Sequence, residues 1–389
     1  MAFYAVIVCG GDATRMGPMQ TSKTLIPVNG VPAVIRCLHA FRKAGCECVL
    51  VIRPSDEALF RKALLAWHAD AKLVYGGADR QASVKNGLDA IEDRDAFVLI
   101  HDGARPMITP AFVADCMQFA LEHGSAVPAV PVTDTLKKCT DGDVKTVSRE
   151  GLYRTQTPQC FRLQDLLKAY ALADGSYTDE AALFEHAGLP VCLCRGMAEN
   201  VKLTQREDIA LAERLSQKIY RTGFGLDAHR FEKGRKLILC GVEVPYDRGL
   251  LGHSDADAPL HALTDALLGA AAMGDIGQWF PDTDERFRGI SSVLLLKRVA
   301  QHLCGKGIRI VNADVTIVCQ RPKLMPYIDA MRRTTAEALG VPTACVSVKA
   351  TTTEHMGYEG REEGISAHAV ATVAVDPLMT EMEAEHDPE

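Results

Sequence analysis

The sequence predicts two joined domains: an α/β domain on a mainly parallel sheet, then a smaller α+β domain with helices on one sheet face. Three observations carry this. The chain has 389 residues, long for one hydrophobic core and comfortable for two. Its first half alternates short apolar runs with helical periodicity, the rhythm of right-handed βαβ units. At Arg221 the pattern restarts with an alternating strand, with no low-complexity linker before it. The expected boundaries are 1–218 and 221–375, followed by a tail over 376–389.

Taken in order, Phe3–Val8 reads as a buried strand, Pro32–Ala44 as a helix and Cys48–Ile52 as a strand. Ala58–His68 is helical, Lys72–Tyr75 a short strand and Ser83–Ile91 a helix. Phe97–Ile100 is a strand, Ala111–His123 a helix and Ala126–Val130 a strand, and a helix over Glu207–Ile219 closes the half. Function in such sheets collects at the C-terminal strand ends. The second half reads as a strand (Arg221–Phe231), a hairpin (Leu237–Val244) and helices over Ala258–Ala272 and Ser292–Cys304. A strand (Arg309–Cys319), a helix (Met325–Leu339) and two strands (Val346–Ala350, Ala367–Val375) complete it.

Composition excludes several classes. Hydrophobic residues make up 47% and charged residues 24%, the balance of a globular protein. No run approaches the roughly 20 apolar residues that span a bilayer. The opening MAFYAVIVCGG has a short apolar run and no basic residues before it, so it reads as a strand rather than a signal peptide. Net charge is −7, but Asp376–Glu389 holds six acids and no Lys or Arg, which leaves the rest near neutrality. That tail reads as solvated and disordered, and nothing makes a basic footprint for nucleic acid. Thirteen cysteines, scattered singly through apolar strings or in C-x-C pairs, read as reduced core thiols of a cytoplasmic protein.

The first strand runs into Cys9-Gly10-Gly11-Asp12-Ala13-Thr14-Arg15-Met16-Gly17. Glycines after a buried strand let backbone N–H groups close around phosphate oxygens. G-x-G-x-x-G is absent, and Gly17 precedes Pro18 rather than Lys, so neither a dinucleotide fingerprint nor a Walker loop is present. Arg15 and Lys23 can reach phosphate from the side, which favours nucleotide binding over a plain turn.

Further motifs lie downstream. They are Gly76-Gly77-Ala78-Asp79-Arg80-Gln81-Ala82-Ser83-Val84, His101-Asp102-Gly103-Ala104-Arg105-Pro106, Thr133-Asp134-Thr135-Leu136-Lys137, Thr157-Pro158-Gln159, Thr178-Asp179-Glu180 and Glu199–Thr204. With the Gly loop, they resemble the 2-C-methyl-D-erythritol 4-phosphate cytidylyltransferases, a Rossmann-like nucleotidyltransferase family, over residues 1–218. The resemblance implies CTP and methylerythritol phosphate as substrates. It implies Arg15 and Lys23 on the transition-state charge, and Arg149 and Lys202 on the incoming phosphate. Gly10, Gly11, Arg80 and Ser83 would line the nucleotide pocket, and Asp102, Arg105 and Thr135 would contact polyol and phosphate. Asp102 could also help hold Mg²⁺ or Mn²⁺. Attack of a phosphate on the α-phosphorus of CTP gathers anions, so cations on the developing charge are what it needs most. The chain departs from the family's usual Pro-Lys-Gln, having Ser22-Lys23-Thr24, and carries Asp12 inside the loop.

In the second half, Asp227-Ala228-His229 lies on a strand-like run, where period two sends Asp227 and His229 to one face. His253-Ser254-Asp255-Ala256-Asp257-Ala258-Pro259-Leu260-His261 leads into a helix. A carboxylate and two imidazoles make a three-ligand zinc set with an open fourth position, the catalytic pattern. With Gly274–Gly277, Phe280–Asp284, Lys349–Glu354 and Gly357–Ile365, this half resembles the 2-C-methyl-D-erythritol 2,4-cyclodiphosphate synthases over residues 221–375. The resemblance implies zinc on Asp227, His229 and His261, and a second divalent ion (Mg²⁺ or Mn²⁺) on Glu354. It places His253 and Thr352 on the transition state. Gln320, Arg321, Pro322, Lys323, Leu324 and Met325, with Thr351 and Thr353, would surround the cytidine nucleotide. Ala228, Ser254, Asp275, Ile276, Gly277, Phe280, Pro281, Asp282, Thr283, Asp284, Tyr358 and Arg361 would shape the polyol pocket. Sites between subunits of a trimer are implied as well. A twofold contact through the first half would extend the trimer to a hexamer.

The sequence therefore reads as a cytoplasmic enzyme with two activities in non-mevalonate isoprenoid biosynthesis. The alternatives are a sugar nucleotidyltransferase fused to an unrelated zinc hydrolase, or a metal-stabilised scaffold without catalysis.

Overall fold

The computed structural model describes residues 1–11, 22–281, 283–287 and 289–378. The chain divides into two compact units, Met1–Ser216 and Gln217–Glu381. The expected disorder of the tail lies, beyond residue 378, outside the described residues.

The first unit is built on β1 (Phe3–Val8), whose Ala5, Val6 and Ile7 are fully buried. A two-residue ladder, β2 (Pro27–Val28) with β3 (Val31–Pro32), leads into α1 (Ala33–Lys43) and β4 (Glu47–Ile52). α2 (Glu57–Ala66), β5 (Lys72–Tyr75), α3 (Arg80–Asp89), β6 (Phe97–Asp102) and α4 (Pro110–His123) continue the alternation. Strands β5, β4, β1 and β6 are neighbours in that order, and all are parallel.

Beyond β6 the sheet turns mixed. β7 (Ser125–Pro131) lies two places away, and after a hairpin of β8 (Leu136–Thr140) and β9 (Asp143–Val147) come β10 (Tyr153–Thr155) and β11 (Gln159–Arg162). β11 inserts between β6 and β7, antiparallel to both. After α5 (Leu163–Ala171) and α6 (Glu180–His186), β12 (Leu193–Arg195) joins β7 in parallel. α7 (Arg206–Leu215) follows. The helix expected over Glu207–Ile219 therefore stops early, because Ile219 already pairs with Val375 in a sheet of the second unit.

That second sheet begins with β13 (Ile219–Lys233). The small pair β14 (Leu237–Leu239) and β15 (Val242–Val244), then β16 (Arg248–Leu250), precede α8 (Ala258–Ala270) and the single turn α9 (Ile276–Trp279). α10 (Ser292–Gly305), β17 (Arg309–Val318), α11 (Ile328–Leu339), β18 (Val346–Thr351), the turn α12 (Gly357–Gly360) and β19 (Gly364–Val375) complete it. The strand order is β16-β13-β19-β17-β18. The helix expected from Met325 opens instead as a 3-10 turn over Met325–Tyr327, with Pro326 in its first turn.

The alternation of β13 decides how α8 docks. Gly223 and Gly225 face the helix, and a Cβ at Gly225 would collide with the Ala262 carbonyl oxygen. The helix therefore lies flush on the strand. Phe224 and Leu226 point the other way and remain 62% and 53% exposed. Asp227 and His229 continue the helix-facing series, which brings them beside α8.

Candidate active sites

In the first unit, the adjacent ends of β1 and β6 pair Val8 with Asp102. A cavity of about 290 Å³ opens there, lined by Gly10, Gly11, Lys23, Gly77, Arg80, Ser83, Asp102 and Lys202, among others. Asp102 is its electrostatic centre. Lys202 Nζ lies 2.6 Å from one carboxylate oxygen, Arg80 Nε 3.5 Å from the other, and Arg105 Nε 3.9 Å away. Burial by itself raises the Asp102 pKa, but Lys202 and Arg80 outweigh it and hold the group well below the usual carboxylate range.

Each cation is positioned by further contacts. Arg80 donates two hydrogen bonds, of 2.8 and 2.9 Å, to the Glu180 carboxylate, which is 2% exposed. Arg105 donates to the Asn200 carbonyl at 2.8 Å. The Ser22-Lys23-Thr24 variation has a physical role: the buried Ser22 hydroxyl donates to the Cys9 carbonyl at 3.0 Å and lies 2.9 Å from the Thr24 hydroxyl. That pins the turn, and the Lys23 ammonium comes beside Gly11. Gly77 donates its N–H to Ser83 Oγ at 3.0 Å, and a side chain at Gly77 would run into Ala82. Behind the cavity, the fully buried His101 bridges the Thr157 hydroxyl (3.0 Å) and the Arg105 carbonyl (3.1 Å), and burial pulls its pKa down to about 4.

Thr135 and Arg149 are exposed near the β8–β9 hairpin and do not line this cavity; Arg149 bonds the Thr133 carbonyl instead. Arg15 and Asp12 lie outside the described residues.

In the second unit, a cavity of about 350 Å³ is lined by Asp227, His229, His253, Ser254, His261, Asp265, Ile276, Gly277, Phe280 and Asp284, among others. Ligand atoms of Asp227, His229 and His261 lie within 4.8 Å of one another. His229 Nδ1 donates to the Leu251 carbonyl at 2.7 Å, so in the neutral imidazole its other nitrogen carries the lone pair. That nitrogen, 2.9 Å from Asp227 Oδ2, is buried and has no hydrogen-bond partner. His261 Nδ1 lies 3.0 Å from the same oxygen. A carboxylate and an orphaned imidazole nitrogen converging this way fit a divalent cation.

The remaining expected residues distribute around this core. Asp275 caps α9, accepting the Gln278 N–H at 2.9 Å, and Asp284 pairs with Arg286. Ala228, Pro281, Thr283, Tyr358 and Arg361 are exposed and do not line the cavity. Asp282 lies outside the described residues. Gln320, Pro322, Lys323, Leu324, Met325, Thr351 and Thr352 line a separate cavity of about 300 Å³ that shares no residue with the first. Arg321 and Thr353 do not line it; Glu354 accepts the Thr352 hydroxyl at 3.0 Å and stands apart from the three-ligand cluster.

Sequence reasoning assigned no role to His101, Glu180, Asp255, Asp265 or Ser292. Of these, Asp265 had the clearest signal, four residues after His261 on the same helix face.

Residues 3–218 match the family model described as 2-C-methyl-D-erythritol 4-phosphate cytidylyltransferase, and residues 220–374 match that of the YgbB family. The bifunctional enzyme IspD/IspF of Desulfotalea psychrophila is 43% identical over 94% of this chain and 97% of its own length. That of Gluconobacter oxydans is 46% identical over 96% and 98%. The chain belongs to the bifunctional IspD/IspF family. It is a cytidylyltransferase joined to a cyclodiphosphate synthase of isoprenoid biosynthesis, not a sugar nucleotidyltransferase fused to an unrelated hydrolase. The solved bifunctional IspDF from Campylobacter jejuni is 29% identical, covers 96% of this chain and 99% of its own, and superposes with a TM-score of 0.48.

Proposed function

We propose that the cavity of the first unit serves one reaction and the two cavities of the second unit serve the other. Residues 1–218 convert CTP and 2-C-methyl-D-erythritol 4-phosphate to 4-diphosphocytidyl-2-C-methyl-D-erythritol and diphosphate. Residues 221–375 convert its 2-phosphate to 2-C-methyl-D-erythritol 2,4-cyclodiphosphate and CMP.

In the first reaction, Gly10, Gly11, Arg80 and Ser83 hold the nucleotide, and Lys23 with Arg15 stabilises charge building on the phosphates. Lys202, with Arg149, Arg105 and Thr135, orients the methylerythritol phosphate for in-line attack on the α-phosphorus. Asp102 helps hold Mg²⁺ or Mn²⁺. The cations gathered around Asp102 support the roles of Arg80, Arg105 and Lys202.

In the second, Asp227, His229 and His261 hold Zn²⁺, and Glu354 holds Mg²⁺ or Mn²⁺. The bound metals supply orientation of the diphosphate and stabilisation of charge on the leaving phosphate. His253 and Thr352 face the developing charge. Ser254, Asp275–Gly277 and Phe280–Asp284, with Ala228, Tyr358 and Arg361, shape the polyol pocket, and Gln320–Met325 with Thr351 and Thr353 enclose the cytidine nucleotide. Holding the 2-phosphate and the diphosphate in one molecule makes the attack intramolecular.

A trimer through the second unit, extended to a hexamer by a twofold contact, is the proposed assembly. Two observations support the trimer: the loop over Gln320–Met325 and the metal cluster occupy separate cavities within one chain, and the β13 face carrying Phe224 and Leu226 is exposed. Thirteen free thiols support a reducing, cytoplasmic setting. No helix among the described residues is long and apolar enough to cross a membrane.

The observation that carries the metal reading is the convergence of Asp227, His229 and His261 on one point. Incubation with each substrate set and product identification by mass tests the whole: CDP-methylerythritol from the first, cyclodiphosphate and CMP from the second. Absence of either product overturns that half.

A further inference from the structure

The two ring nitrogens of His261 meet different surroundings. Nδ1 lies 3.0 Å from Asp227 Oδ2, where the metal reading places the cation. Nε2 lies 2.9 Å from the hydroxyl of Ser292, the first residue of α10, which is 1% exposed. That hydroxyl in turn donates to Asp255 Oδ1, while the Ser292 backbone N–H donates to Asp255 Oδ2 at 3.0 Å.

The direction of the chain follows from what each group can do. An ionised carboxylate only accepts. The single Ser292 hydroxyl proton is therefore committed to Asp255, and Ser292 Oγ can only accept from His261. Nε2 then carries the imidazole proton, and Nδ1 presents its lone pair. Ser254 Oγ is the longer contact, at 3.2 Å, and already accepts the Ala256 N–H. His229 reaches the same condition differently, through the Leu251 carbonyl.

We propose that Asp255 and Ser292 are positioning residues for the metal, an Asp255–Ser292–His261 chain that fixes the tautomer and ring plane in which His261 Nδ1 binds a divalent cation. This rests on the metal reading of the Asp227–His229–His261 cluster. Neither residue is a ligand; both act through His261, as outer partners of metal-bound imidazoles do. A simpler role for Asp255, capping α10 through the Ser292 N–H, needs no hydroxyl. Ser292→Ala keeps that cap and deletes only the relay.

The test uses the full chain, stripped of metal and titrated with Zn²⁺ against a chromophoric chelator. Ser292→Ala should weaken Zn²⁺ binding by about 10–100-fold, and Asp255→Asn should act in the same direction. Ser292→Thr, which restores the hydroxyl, should return affinity toward wild type. The visible spectrum of the Co²⁺-loaded protein should change in Ser292→Ala and revert in Ser292→Thr, which loss of a cap would not produce. Retained cytidylyl transfer reports that the rest of the chain is intact. Wild-type affinity and an unaltered Co²⁺ spectrum in Ser292→Ala overturn the relay and leave the metal reading standing. A wild-type protein that binds no Zn²⁺ overturns both.

Discussion

On the proposed reading, the two units meet a shared problem, the crowding of phosphate charge, with different materials. In the first unit, Arg80 and Lys202 converge from separate stretches of one chain on a carboxylate, Asp102, and Lys23 lines the same cavity. In the second, a carboxylate and two imidazoles converge instead, and the cationic loop holding Lys323 lines another cavity altogether. The difference teaches that folding alone can gather permanent side-chain cations in one cavity, whereas the lining of the metal cavity in the second unit holds no Lys or Arg. On the proposed reading both sites take a divalent ion, but only the second also takes a neighbouring copy.

The most severe way to probe that contrast is to remove a metal ligand. His229→Ala should abolish zinc binding and cyclisation together while cytidylyl transfer persists. Zinc retained at wild-type stoichiometry would contradict the ligand role. Next in size, Phe224→Glu places a charge on the exposed sheet face and should break the assembly, taking most of the cyclisation with it. Light scattering of the active wild type should report a multiple of three chains; a fully active monomer or dimer removes the need for a neighbour.

On the other side of the contrast, Lys23→Ala should cost cytidylyl transfer about 2.7–4 kcal/mol, or about 10²–10³ in rate, by analogy with loss of one oxyanion donor. Cyclisation should not change. Transfer at the wild-type rate would sink the role of Lys23. The smallest effect concerns stability. His101 is held neutral, with its pKa lowered from 6.5 to about 4 by burial, against the opposing influence of Asp102. Between those values the unfolded chain binds more protons, so stability falls as pH drops from 6.5 to 4 and levels off below. The full loss is about 3 kcal/mol. Urea unfolding of the first unit at pH 7 and pH 4.5 should show a weaker pH dependence in His101→Asn; equal dependence in both proteins would refute the account.

Much of the fold is legible in the sequence. D-x-H on an alternating strand places Asp227 and His229 on one face, because period two leaves no other arrangement, whereas the loop after the first buried strand lies, from Asp12 on, outside the described residues. What stayed hidden is the second layer of partners. Glu180 belongs to a visible motif, but its bond to Arg80 spans 100 residues and leaves no periodic trace. Asp255 and Ser292 meet across 37 residues for the same reason. His101, a polar residue in an apolar strand, signalled something unusual without indicating that Thr157 and Arg105 would satisfy it. The division of the second unit's site residues between two cavities also escapes a linear reading, since chain order says nothing about which pocket a loop faces.

The flush contact between β13 and α8 has a consequence for how this enzyme tolerates change. Gly223 and Gly225 let main chain rest on main chain, with no side chain as padding between them. Ordinary helix–sheet spacing drifts as core residues are exchanged, because side chains repack to absorb the difference. Here the strand bearing Asp227 and His229 and the helix bearing His261 share a hard reference plane. Mutations elsewhere in the core can accumulate without shifting the separation of these three side chains, while either glycine, once replaced, has no neighbour able to compensate.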